Sequence, residues 1–123
     1  MSEARIVLLP EARDDLEDLD GAARKIILKG LLKLRAEPAQ RGAPLGSRGS
    51  GNLTGLRKLV VGNRDYRIVY DVQDDGTIVV VWVIARRADD EVYRLAVARL
   101  GAYTADRQKL AILRQILDTA WGR

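Results

Sequence analysis

The chain has 123 residues, with 21 Lys and Arg against 17 Asp and Glu, a formal net charge of +4, and neither cysteine nor histidine. That length suits one domain whose core needs no disulfide or metal staple. The missing residue types exclude a Cys/His zinc site, a thiolate nucleophile, a Ser-His-Asp triad and a histidine acid/base pair. The longest apolar run, Ile78 to Ala85, has eight residues where a membrane-spanning helix needs about twenty. Met1 to Arg5 lacks the basic-then-apolar pattern of a secretory signal. With the absent cysteines, this leads us to expect a cytoplasmic protein with no membrane partner.

Residues 5–9 are β-branched and leucine-rich and stop at Pro10, which predicts a strand followed by a helix with proline in its first turn. Glu11, Asp14, Asp15, Glu17 and Asp18 crowd the positive end of that helix, and Ala12, Leu16 and Leu19 are spaced for its buried face. Asp20 and Gly21 break the pattern. Residues 22–35 then form a second helix with Ile27, Leu31 and Leu34 inward, Ile26 beside them, and Lys25, Lys29 and Lys33 opposite. Pro38 closes this helical hairpin, and the glycine-rich residues 40–52, with Arg41, Pro44 and Arg48, read as an irregular loop.

Beyond the loop the period changes. Residues 56–61, 66–72 and 77–85 form an antiparallel meander joined by Gly62-Asn63-Arg64-Asp65 and Asp74-Asp75-Gly76. The third strand is apolar throughout, so it is expected at the centre of the sheet with both faces covered. Asp89 is positioned to cap a helix whose Val92, Leu95, Ala96 and Leu100 make a buried stripe. Gly101 is expected to end it, and Thr104 to cap a last helix over residues 105–120, with Leu110, Leu113, Leu117 and Trp121 on one face. The predicted class is α+β: strand, helical hairpin, three-stranded antiparallel meander, then one or two C-terminal helices, packed on one sheet. Residues 1–100 form the main domain, and residues 101–123 a C-terminal helical extension packed on it.

Chemistry points to the meander. In Tyr66-Arg67-Ile68-Val69-Tyr70, alternation puts the two tyrosines and Ile68 on one face and Arg67 on the other. Such an arginine pairs, with Asp65 or Asp71 at hand, or meets solvent. Lys58 on the preceding strand falls beside it, Arg86 and Arg87 end the third strand, and Tyr93 follows six residues after Arg87. Taken singly, each has a structural reading: a cross-strand ion pair for Arg67, edge packing for Tyr93. Together they say more. Between residues 41 and 70 six bases face one acid, and converging cations repel unless an anion sits among them, which points to a phosphate-bearing partner. Asp74-Asp75-Gly76 is turn chemistry, and the acidic start of the first helix has no Ca²⁺-loop spacing.

These residues resemble the RelE/ParE superfamily of bacterial toxins from toxin–antitoxin pairs. The resemblance covers about residues 5–100. It rests on the element order, the approach of residues 38–45 to the sheet, Tyr66-Arg67-Ile68-Val69-Tyr70, and Arg87 followed by Asp90-Glu91-Val92-Tyr93. It implies a cytoplasmic toxin that, in the RelE branch, cuts ribosome-bound messenger RNA by 2′-hydroxyl attack, with no metal or cofactor. It also implies a cognate antitoxin protein as partner. By position, Arg67 holds the scissile phosphate, Arg87 stabilises or protonates the leaving 5′-oxygen, Tyr93 orients or deprotonates the 2′-hydroxyl, and Lys58 lies near the phosphorane. Arg48, Arg57, Arg64 and Arg86 are the expected RNA-binding cations. One departure stands out: the family often carries Lys-x-Lys on the first meander strand, whereas this chain reads Leu56-Arg57-Lys58, with Arg57 or Arg64 as substitutes for the missing lysine. The alternatives are a ParE-like inhibitor of DNA gyrase and a catalytically degenerate antitoxin-binding protein.

Overall fold

Pro10 sets the first boundary. In the computed structural model, which describes residues 3–44, 56–73, 78–86, 89–105, 108, 111, 112 and 115, strand β1 is Arg5–Leu8 and helix α1 is Pro10–Glu17. The proline sits in the first turn, where its missing N–H has no intrahelical partner to lose. Helix α2, Gly21–Leu34, starts where the Asp20 carboxylate accepts a hydrogen bond from the Ala23 N–H at 2.8 Å. Its Ile27, Leu31 and Leu34 are buried, and Lys25, Lys29 and Lys33 face water, as the periodicity predicts.

A single 3-10 turn, Pro38–Gln40, leads to strand β2, Ala43–Pro44, within the stretch expected to be irregular. Two residues carry no periodicity; their pairing with strand β3, Leu56–Val61, is what defines them. Strands β4, Tyr66–Gln73, and β5, Ile78–Ala85, complete the meander. The five-stranded sheet runs β1-β5-β4-β3-β2, with β1 parallel to β5 and the other pairs antiparallel. All eight residues of β5 are buried, because β1 and β4 flank it and helices cover both faces.

Those two faces hold separate cores. Ala12 of α1 and Ile27, Leu31 and Leu34 of α2 pack on Ile68, Tyr70, Val79, Val81 and Ile84. On the other face, Val92, Ala96 and Tyr103 of helix α3, Asp89–Ala105, pack on Val69, Val80, Trp82, Val83 and Ala85. Trp82 and Val83 are adjacent in sequence yet share that face, because β5 is bulged: Val69 pairs with Val83 and Tyr70 with Val81. The extra residue reverses the parity of the strand end, so Ala85 turns to the α3 side and stands opposite Arg67.

The break expected at Gly101 does not occur. Helix α3 already includes Asp89, runs through Gly101 and holds Thr104 in its interior, and positions 108, 111, 112 and 115 are helical as well. Glycine inside a helix costs only about 1 kcal/mol, and Tyr103 offsets this: it is buried, meets Trp82 edge-on at 5.4 Å between ring centroids, and donates its hydroxyl to Glu11 at 2.6 Å. Asp74-Asp75-Gly76 and Leu110, Leu113, Leu117 and Trp121 lie outside the described residues, as do Arg48 and Arg87. Among the described residues, no helix is long and apolar enough to cross a membrane.

Candidate functional site

The β3–β4 turn fixes the register of the site. Gly62, Asn63 and Arg64 take successive φ values of 63°, 56° and 71°, and the Asp65 N–H returns to the Gly62 carbonyl at 3.0 Å. Glycine adopts the left-handed region freely and asparagine readily; Arg64 does so at a cost on the order of 1 kcal/mol. The turn makes use of it, since the Arg64 carbonyl accepts the Arg67 guanidinium at 2.6 Å. Arg64 itself is exposed, so its side chain reaches solvent.

With that register, Lys58 pairs with Val69, Val60 with Arg67 and Leu56 with Asp71. Directly opposed residues of antiparallel strands share a face. Val69 and Leu56 belong to the α3-side core, so Lys58 and Arg67 lie on that same side as diagonal neighbours. Tyr93 stands on α3, half-buried against the same core. Three of the four expected catalytic side chains are thus on one face of the sheet; the fourth, Arg87, follows the strand end that places Ala85 beside Arg67. Asp71 shares the face. Burial raises its carboxyl above the usual carboxylate value, opposed by hydrogen bonds from the Gln73 amide and the Val72 backbone.

Arg57 and Arg86 go elsewhere. Arg57 pairs with Tyr70 and so points to the opposite face, where its Nε and Nη2 donate to the Arg41 carbonyl at 3.1 and 2.9 Å. The Tyr70 hydroxyl donates to the same carbonyl at 2.7 Å and lies 3.1 Å from that of Pro38. Burial raises the Tyr70 phenol above its ordinary value, and the Arg57 hydrogen bond and charge act against this. Arg57 and Tyr70 thereby tie residues 38–42 to the sheet. The expected approach of residues 38–45, described as far as Pro44, and the second tyrosine of the strand motif are one structural feature. Arg86 is exposed, with its guanidinium carbon 5.9 Å from the centre of the Tyr66 ring.

A second polar cluster joins α1 to α3. Asp15 holds the Arg99 guanidinium at 2.7 and 3.0 Å, and Glu11 accepts the Tyr103 hydroxyl. The sequence contained a signal for it: Arg99 falls three residues after Ala96, on the stripe turned to the sheet, where a cation demands a partner.

A family model described as the ParE toxin of type II toxin–antitoxin system, parDE, matches residues 6–91. No match is found among curated proteins. Among solved structures, the chain is similar to the RelBE2 toxin–antitoxin complex from Mycobacterium tuberculosis, at 28% identity and a TM-score of 0.54, over 72% of this chain and 95% of that one. A double-arginine mutant of the Escherichia coli toxin RelE in the free state shares the fold, with a TM-score of 0.57 at 24% identity, over 80% of this chain and 98% of that one. So does the archaeal RelE–RelB complex from Pyrococcus horikoshii, with a TM-score of 0.52 at 20% identity, over 70% of this chain and 97% of that one.

Proposed function

The chain belongs to the ParE toxin family of type II toxin–antitoxin systems, and within that family we propose, from its side chains, that it is an endoribonuclease that cuts messenger RNA on the ribosome. The observation that carries the proposal is the one-sided arrangement of Lys58, Arg67 and the helix bearing Tyr93, at the end of the strand leading to Arg87. Two cations on one face of the sheet, with a tyrosine on the helix packed against that face, suit a ribose-phosphate linkage better than a flat protein contact.

In this reading the RNA supplies its own nucleophile. A ribose 2′-oxygen forms a bond to the adjacent phosphorus while the bond to the 5′-oxygen breaks, leaving a 2′,3′-cyclic phosphate and a 5′-hydroxyl. Arg67 holds the scissile phosphate and Lys58 meets the charge that develops on the equatorial oxygens. Tyr93 orients the 2′-hydroxyl and takes its proton, and Arg87 stabilises the leaving oxygen. Phenols and guanidiniums are weak proton-transfer groups at neutral pH, so positioning supplies most of the acceleration. Alignment of the RNA by the ribosome completes it, and naked transcript is a poor substrate. Arg48 and Arg64 contribute further phosphate contacts, whereas Arg86, over the Tyr66 ring, and Arg57, with its backbone contacts, stand apart from this face. The toxin–antitoxin complexes among the similar structures support a cognate antitoxin as the partner that holds the activity off.

The match to the ParE model favours a second reading, inhibition of DNA gyrase. Induced expression followed by mapping of messenger RNA 5′ ends separates the two. The nuclease reading expects new ends within translated messages, lost in Arg67→Ala and Arg87→Ala. Intact messages with cleaved or relaxed plasmid overturn it in favour of gyrase.

A further inference from the structure

Two backbone groups of β5 outrun their partner strand. The last pair between β1 and β5 is Leu8 with Val81, and beyond it the Trp82 carbonyl and the Ile84 N–H face an edge that β1 no longer covers. Buried backbone groups must be satisfied. Here side chains from two helices do it: the Asp15 Oδ2 accepts from the Ile84 N–H at 3.0 Å, and the Arg99 Nη1 donates to the Trp82 carbonyl at 2.9 Å. The same two side chains form a two-pronged pair, Nη1 to Oδ2 at 2.7 Å and Nη2 to Oδ1 at 3.0 Å, with side-chain exposures of 15% for Arg99 and 18% for Asp15.

On α3, Val92, Ala96, Arg99 and Tyr103 succeed one another at helical spacing and form the stripe turned to the sheet. Val92 and Ala96 are small, and apolar contact has no direction, so these two alone do not fix how far α3 slides or turns. The fork does, because a planar guanidinium engaging a carboxylate through two N–H groups accepts one geometry. Four residues along both helices, Glu11 and Tyr103 make a second rung.

We infer that the Asp15–Arg99 fork is the device that positions Tyr93. Tyr93 lies six residues from Arg99 on the same helix, about 9 Å along its axis. A fixed height and rotation of α3 therefore fixes where the phenol meets the face carrying Lys58 and Arg67. Asp15 and Arg99 are positioning residues that touch no RNA. The consequence for catalysis rests on the ribonuclease reading; the hold on α3 does not.

The test uses the full chain with Arg99→Met, Arg99→Lys and Asp15→Asn, the last keeping an acceptor for Ile84. Two quantities are read: amide hydrogen exchange, and single-turnover cleavage on programmed ribosomes in wild-type and Tyr93→Phe backgrounds. In Arg99→Met, residues 91–97 should lose protection by about tenfold or more while residues 23–34 of α2 keep theirs. Cleavage at saturating ribosome should slow by about ten- to a hundredfold at unchanged half-saturation. The same substitution should cost little further in Tyr93→Phe, since its effect runs through that side chain. Arg99→Lys should recover part of the rate. Unchanged exchange in α3, or an equal loss in both backgrounds, overturns the inference. A wild type inert on ribosomes removes the ribonuclease reading alone, and the exchange comparison then decides the role of the fork. Should Arg99→Met not fold, Asp15→Asn carries the same comparisons.

Discussion

Tyr70 and Tyr103 show how single side chains set the response of the fold to pH. Burial is the largest cause raising both phenols; for Tyr103 the Glu11 carboxylate adds to it, while nearby arginines act in the opposite sense on each. A phenol whose folded value exceeds its unfolded value contributes stability that is complete below the unfolded value, about 10, and lost as pH rises toward the folded one. The urea midpoint should therefore hold steady to about pH 9.5 and fall above pH 10, and Tyr103→Phe should make that alkaline fall shallower. An identical fall in the variant counts against the assignment. Gly42 is the sharpest backbone constraint near the site. Its φ is +62°, and an added Cβ would lie 2.2 Å from the Lys58 carbonyl oxygen. Gly42→Ala should destabilise by about 2–4 kcal/mol in denaturant titrations, through a left-handed backbone and a displaced β2.

At the scale of elements, Gly101 gives the opposite expectation. It lies inside α3, and a Cβ there meets nothing within 4 Å. Gly101→Ala should stabilise by about 1 kcal/mol, read as a higher thermal midpoint, with no loss of activity. A lower midpoint would mean that α3 does break there. The helix boundaries at Pro10 and Asp20 could be read from sequence because proline and an N-capping carboxylate act locally. Three features could not. The bulge at Trp82 is hidden in a strand with eight apolar residues, where no alternation exists to be interrupted. Strand β2 is defined by its partner. The buried stripe of α3 includes Arg99 and Tyr103, whereas the apolar pattern picks Leu95 and Leu100, which are half-buried. A cation satisfied by a carboxylate 84 residues away leaves no local trace beyond its position.

The whole molecule sorts its charged side chains by face. One side of the sheet is sealed by α1 and α2, with Arg57 and Tyr70 anchoring the chain that crosses it; the other, on which α3 packs, carries Lys58 and Arg67. The alternation of Tyr66-Arg67-Ile68-Val69-Tyr70 was enough to separate Arg67 from the tyrosines, and the four-residue turn settles the side taken by Lys58. The division of labour between the adjacent Arg57 and Lys58 needed the register, since one step along a strand reverses the face. Ribosome-dependent cleavage is tested most directly by cutting a defined message with the purified protein, with and without the ribosome, for wild type and Arg87→Ala. Wild type should cut rapidly on the ribosome, leaving a 2′,3′-cyclic phosphate end, and cut naked transcript little, while Arg87→Ala should still fold and lose about a hundredfold or more, roughly 3 kcal/mol. Equal cutting by Arg87→Ala, or none by wild type on the ribosome, would contradict the ribonuclease reading.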